Sequence, residues 1–395
     1  MNATIATELA LRYGINPHQA PARVFSSDRQ RLPLEVLNGA PGYINLLDAL
    51  NSWQLVHELR QAVGLPAAAS FKHVSPAGAA VAVPLTEPVR RAYFLGAVEL
   101  SPLATAYARA RGADRVSSYG DWVALSEPVD VPTAQLLRRE VSDGVIAPGY
   151  DPSALEMLRS KRGGKYTVLR IDADYTPPEV EQRQVFGLRF EQRRNDRVPS
   201  LEWLKQVVTR RVELSEAVRR DMLVALTALK YTQSNSVALA LDGQVIGVGA
   251  GQQSRIHCTR LAASKADTWY LRQHPDVLEL PFRHDLDRVD RDNAVDQFLR
   301  EDLTPAEEAI WQTCFQQPPK RLSAEARRAW LDTLRGATLG SDAFIPFRDN
   351  IDRAHASGVE YVVQPGGALR DAEITSACDE YGMAMVLTGV RLFHH

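Results

Sequence analysis

The chain has 395 residues, 45% of them hydrophobic and 24% charged, with 46 Lys and Arg against 48 Asp and Glu and a net charge of −2. That length predicts more than one folding unit, and the composition excludes a fibre or a disordered chain. The even charge balance argues against a dedicated nucleic-acid binder, which carries a basic stripe, but not against a small anionic ligand held by a few cations.

Met1 to Leu11 lacks the basic start and apolar run of a signal peptide, and no apolar stretch is long enough for a membrane span. Cys258, Cys314 and Cys378 are too few and too scattered for a disulfide framework or a metal site. A reducing cytoplasm is the compartment expected.

In chain order, Ala68 to Phe71 reads as the end of a buried strand and Val141 to Ala147 as another. Each is expected to lead through a turn into a helix, the α/β pattern. Residues 177–215 are charged and rich in Arg, and read as part of a helical linker between two lobes. Asp221 to Tyr231 is apolar all round and predicts a buried helix. Ser236 to Val248 carries Asp242-Gly243 between two apolar runs, which predicts a hairpin with a type I′ turn and therefore a mixed sheet. Glu301 to Trp330 is a polar helical stretch broken at Pro318-Pro319, and a further α/β run starts at Ala343. The sequence shows no short repeat.

Five segments are dense in polar groups. Arg12-Tyr13-Gly14 begins a loop suited to gripping an anion, since a guanidinium fork matches phosphate oxygens. Lys72-His73 ends an apolar strand. A His is a base near neutral pH, and an adjacent ammonium stabilises negative charge. Neighbours in a strand face opposite ways, so both can reach one pocket only where the strand has ended, as Pro76 and Gly78 suggest.

Gly120-Asp121 and Asp143 lie at strand ends, suited to ribose hydroxyls or to capping turn amides. Lys230 to Ser236 offers hydroxyls and amides, and Gly247 to Arg255 is a Gly-rich turn. The turn could let backbone N–H groups approach a ligand or let two backbones pack closely. Phe344 and Phe347 could stack on a flat ring or belong to the core. The end, Arg391 to His395, could be frayed or docked. There is no metalloprotease, deaminase, Walker A or serine-hydrolase signature.

Taken in order, LRYGINPHQ, SFKHVSPAG, SSYGDWVALS, EVSDGVIAPGY, KYTQSNSV, GQVIGVGAGQQSRIHCTRLA, SDAFIPFRDNIDRA and RLFHH closely resemble the aminoimidazole carboxamide ribonucleotide (AICAR) transformylases. The resemblance runs from about residue 11 to the end. It implies an α/β fold of two cytidine-deaminase-like, three-layer α/β/α lobes with mixed sheets and no zinc. The expected boundaries are a first lobe at 1–176 with the Lys-His pair, a helical linker at 177–220, and a second lobe at 221–395 with folate and cation contacts.

The resemblance also assigns residues. Lys72 and His73 match the family's catalytic pair. Arg12, Tyr13, Gly120, Asp143, Asn235 and Arg391 match its nucleotide site. Arg255, Phe344, Ala368 and Leu369 match its folate contacts. Thr232, Ser234, Ser236, Asp342, Leu392 and His394 match a potassium (K+) site. It further implies a homodimer with shared active sites. Tyr119 stands where relatives often have Phe, and Ala368 where many have a small polar residue.

The expected reaction moves a formyl group from 10-formyltetrahydrofolate to the amine of AICAR. His73 is the expected base and Lys72 the oxyanion stabiliser. The cyclohydrolase domain usual in the family is not in this sequence, so ring closure is expected to fall to a separate IMP cyclohydrolase. Two other readings are a non-catalytic nucleotide-binding regulator on the same scaffold and a transformylase using formate and ATP. The Lys-His pair argues against the first and the missing ATP-phosphate loop against the second.

Overall fold

A computed structural model describes residues 7–26 and 31–395; the signal-peptide reading of Met1 to Leu11 lies partly outside them. The strands are β1 (Glu8–Leu11), β2 (Ala22–Phe25), β3 (Leu34–Asn38), β4 (Ala67–Lys72), β5 (Ser75–Val81), β6 (Asp121–Leu125), β7 (Ser142–Ala147) and β8 (Thr167–Ile171). They continue with β9 (Val180–Val185), β10 (Leu188–Arg193), β11 (Val237–Leu241), β12 (Gln244–Gly249), β13 (Ala337–Ser341), β14 (Val359–Gln364) and β15 (Ala384–Leu387).

Eleven strands form one mixed sheet in the order β15-β14-β13-β11-β12-β5-β4-β6-β7-β8-β3. The two halves of the chain meet where β12 pairs antiparallel with β5. Outward from that junction the halves follow the same plan. A hairpin comes first (β5-β4 or β12-β11), then an antiparallel neighbour (β6 or β13), then two parallel strands (β7 and β8, or β14 and β15). The helix Tyr43–Val63 precedes the first hairpin and Glu216–Lys230 the second; Pro102–Gly112 and Arg255–Leu271 follow them. The internal duplication is thus plain in topology although the sequence does not display it.

Period-2 burial places helices on both faces. Ala67, Ala69 and Phe71 pack under Tyr43–Val63, with Val224, Ala225 and Ala228 of Glu216–Lys230 in the same core. Ala68, Val123 and Val145 face Tyr107 and Ala110, and Leu239 and Ile246 face Cys258 and Ala262, in the core of the other face. Among the described residues no helix is long and apolar enough to cross a membrane.

Two expectations need correction. The segment 177–220 is not a helical linker: β9 and β10 form an isolated antiparallel hairpin, followed by a short 3₁₀ turn at Leu201–Leu204. The cause is visible afterwards. Apolar and polar residues alternate from Leu188 to Glu191, and Phe186 (φ 49°) and Gly187 (φ 79°) form a left-handed two-residue turn. Nor does β4 lead into a helix; it returns directly as β5.

Candidate active site

Lys72 is the last residue of β4 and pairs with Ser75, the first of β5. His73 and Val74 alone make the turn, with φ of 54° and 59°. Both lie in the left-handed region, which is rare for any residue but Gly and an outlier for a β-branched one. This pair, and not Pro76 or Gly78, ends the strand. Pro76 lies within β5, and a Cβ on Gly78 would stand 2.1 Å from Ala110 O, so that glycine serves close packing.

The turn is pinned from behind. Val74 N donates to Asp48 Oδ1 at 2.6 Å, and Asp48 is buried on the helix Tyr43–Val63. Burial pushes the Asp48 carboxyl up; the Val74 amide and His73 pull it down, and nearby Asp143 pushes it up again. His73 is exposed, and Lys72 Nζ donates to Tyr119 O at 2.6 Å.

The Ser117–Asp121 segment that meets Lys72 is held by buried charge. Arg111 donates to Asp121 Oδ1 (2.7 Å), Ser118 O (2.7 Å), Glu140 Oε2 (3.0 Å) and Val141 O (3.2 Å). Ser70, two residues before Lys72, donates to Asp121 Oδ2 at 2.6 Å. Gly120 N donates to Val141 O at 3.0 Å. Capping of turn amides falls to Asp114, which accepts from Ser117 N at 2.9 Å. Asp143 is exposed and pairs with Arg162 at 3.1 Å.

A second cluster converges on Asp342. Its Oδ2 accepts from Ser234 Oγ (2.6 Å), Ser236 Oγ (2.9 Å) and Ser236 N (3.0 Å). Leu392 N donates to its backbone oxygen at 2.8 Å, and the backbones of Ser234 and His394 meet at 3.0 Å. The chain end is therefore docked, with Leu392 buried and the His394 imidazole held below its usual pKa by burial. Thr232 lies just beyond the end of Glu216–Lys230 and donates to Ala228 O.

The cluster brings Ser234, Ser236, Asp342, Leu392 and His394 together. Its hydroxyl, carbonyl and carboxylate oxygens are hard donors, the chemistry that suits an alkali cation better than zinc. Among the described residues no group of three or more His, Cys, Asp or Glu is placed to hold a metal ion.

Arg255 is turned inward. It pairs with Asp342 and donates to Ser236 O (2.7 Å) and to Asn235 Oδ1 (3.0 Å), while its Nε makes no hydrogen bond. The Gly-rich turn before it serves backbone packing. A Cβ on Gly247 or Gly249 would meet Ala262 O or Cys258 O at 2.1 Å.

The two groups of residues adjoin, since Gln233 N donates to Ser75 Oγ at 3.4 Å. Other predicted residues are not drawn in by contacts of the chain itself. Arg12 is exposed and stacks on Tyr13; Arg391 is exposed and stacks on Phe393. Among the described residues neither has a carboxylate partner. Phe344 and Phe347 are about half exposed, so the pair is not core, and Leu369 is fully exposed. Ala368 sits in a turn capped by Asp371, which accepts from its amide at 3.2 Å.

Sequence reasoning missed Asp48 and Arg111. The signal for Asp48 was a lone acid within the mostly apolar run INLLDAL. For Arg111 it was charge inside an alanine-rich helix, PLATAYARARG.

The model of a family described as "AICARFT/IMPCHase bienzyme" matches residues 1–265. The chain belongs to that family. It is 33% identical over 390 residues to the bifunctional purine biosynthesis protein PurH of Roseobacter denitrificans, covering 98% of this chain. To the protein of that name from Xanthomonas campestris it is 31% identical, over the whole chain. The chain spans 59% of the length of these two AICARFT/IMPCHase relatives.

Proposed function

We propose that the chain works in purine biosynthesis by transferring a formyl group from 10-formyltetrahydrofolate to the 5-amino group of AICAR, giving formyl-AICAR and tetrahydrofolate. The observation that carries this reading is the Lys72-His73 pair, presented on a clamped left-handed turn in a chain of this family.

The amine is a poor nucleophile, because its lone pair is delocalised into the ring, and it must lose a proton as it attacks. His73, exposed at the tip of the hairpin, takes that proton. Lys72 is tethered to Tyr119 O by one of its three N–H donors, leaving two for the formyl oxygen as it gains charge. The folate, when bound, would supply the formyl carbon, and its nitrogen would leave with the proton that His73 took, so that the Lys72-His73 pair ends in its starting protonation state. Alignment of the two substrates contributes up to roughly 7–11 kcal/mol, more than the ~10²- to 10⁴-fold from acid–base help.

Arg12 and Arg391, exposed and without carboxylate partners among the described residues, are assigned to the nucleotide anion, with Tyr13, Gly120, Asp143 and Asn235 around the rest of the nucleotide. Exposed Phe344 and Leu369, with Ala368, suit the flat folate ring; Arg255 supports that region from beneath. The oxygens around Asp342 would hold a potassium ion. The open His73 face and the unengaged arginines fit a site completed by a second subunit of a homodimer.

The test is formyl transfer from 10-formyltetrahydrofolate to AICAR, followed by absorbance, for the wild type beside His73→Ala. A wild-type rate that collapses in the variant is expected. A wild type that binds AICAR without turnover would overturn the reading.

A further inference from the structure

We propose that Asp48 is a positioning residue for the Lys72-His73 pair: its carboxylate holds the His73-Val74 turn in the left-handed conformation that brings both side chains out at the end of the hairpin. The inference rests on the formyl-transfer reading and deepens it.

The internal duplication carries the argument. The turn between β4 and β5 corresponds to the turn between β11 and β12. In the second, Asp242 and Gly243 have φ of 52° and 73°. Asp-Gly is among the dipeptides that favour such a turn. His73-Val74 adopts the same conformation with a β-branched Val where the second turn has Gly. A left-handed Val is disfavoured by its branched Cβ. The first turn therefore depends on outside support far more than the second.

Both turns receive that support from the same place. Asp221 accepts from Asp242 N (2.8 Å) and Gly243 N (2.6 Å). Asp48 accepts from Val74 N at 2.6 Å. Asp221 stands five residues after the start of its helix at Glu216, and Asp48 five after the start of its helix at Tyr43. Each helix directly precedes its hairpin.

The two clamps differ in one respect. Asp221 closes both turn amides, whereas the second oxygen of Asp48 takes no hydrogen bond from the described residues. The negative charge of Asp48 also reaches His73. The first half thus keeps a clamp where the turn sequence is least suited to it, and the residues so held are Lys72 and His73. Without the clamp, relaxation of Val74 toward extended backbone would return the pair to opposite faces of the strand.

The test compares wild type, Asp48→Ala, Asp48→Asn, Asp221→Ala and His73→Ala. It reads formyl-transfer kinetics per folded molecule and amide hydrogen exchange at Val74. Asp48→Ala removes the acceptor; Asp48→Asn keeps an oxygen for the Val74 amide. In Asp48→Ala, kcat is expected to fall roughly 100-fold, the scale of a small misplacement, with KM for AICAR little changed. Val74 should exchange faster in that variant. Asp48→Asn should restore most of the rate and the protection. Asp221→Ala, which loosens the corresponding turn, should lose stability but keep kcat.

A folded Asp48→Ala with wild-type kcat, beside an inactive His73→Ala, overturns the proposal. So does an Asp48→Asn that is as impaired as the Ala variant, which also covers the case in which Asp48→Ala fails to fold. If the wild type transfers no formyl group while Val74 exchange still depends on Asp48, the functional reading falls and the clamp itself stands.

Discussion

Arg255 and Asp342 form a nearly solvent-free ion pair where the Gly-rich turn, the end of β13 and the docked C-terminus meet. Asp342 is fully buried and Arg255 is 6% exposed. Arg255 donates to Asp342 Oδ1, and three other groups donate to Oδ2: Ser234 Oγ, Ser236 Oγ and Ser236 N. Deleting one partner of such a pair leaves the other charge uncompensated, which costs about 3–5 kcal/mol. Asp342→Ala is therefore expected to lose stability on that scale in urea unfolding. Faster amide exchange at Leu392 and His394 should accompany it. A loss below about 1 kcal/mol, the range of an exposed pair, would contradict the buried-pair account.

Glu140 yields a prediction with a defined pH window. Burial alone would raise its carboxyl; Arg115, Arg111 and Arg288 override that and hold it down at about 2. The folded pKa is thus below the unfolded one. The stabilisation is present above the unfolded value and is lost as pH falls through the folded one. A shift of this size corresponds to roughly 3 kcal/mol. Glu140→Gln should accordingly be much less stable than wild type at pH 7, and the gap should narrow steadily between about pH 4.5 and pH 2. Urea midpoints across that range read it directly, and a gap independent of pH would exclude the charge as its cause.

The parts of this molecule that were legible in the sequence are those where local chemistry and fold agree. Asp242-Gly243 announced its turn because both residues tolerate positive φ. The helix at Asp221 to Tyr231 announced itself by being apolar all round, and it forms as part of Glu216–Lys230. The turn at His73-Val74 was not legible, because a β-branched Val opposes the conformation and the group that enforces it, Asp48, lies 26 positions away. Arg111 gave only a weak signal for a similar reason. Its partners Asp121 and Glu140 come from elsewhere in the chain, and an Arg in a helix looks like a solvated one. The hairpin of β9 and β10 was misread because dense charge masked its alternation. Lys72 and His73 were found because their chemistry is conspicuous, but the reason both emerge together is tertiary.

The Gly-rich turn permits a direct test of whether its glycines serve packing or ligand approach. Gly249 has ordinary φ, yet a Cβ there would stand 2.1 Å from Cys258 O, with the Cys258 carbonyl carbon at 2.8 Å. These are backbone atoms of the helix Arg255–Leu271 and cannot swing aside. Gly251, two residues on, has φ of +65° but open space, its nearest neighbour being 3.8 Å away. Substituting Ala at Gly251 should cost only the left-handed penalty, about 1–2 kcal/mol. At Gly249 the helix must retreat from β12, carrying Arg255 away from Asp342. Overpacking alone costs about 1–3 kcal/mol, and the strained ion pair adds to it. Gly249→Ala is therefore expected to be clearly the less stable of the two in urea unfolding, and to loosen the Asp342 cluster. If Gly249→Ala instead folds with wild-type stability and loses only ligand binding, the glycine is there for the ligand and the packing account fails.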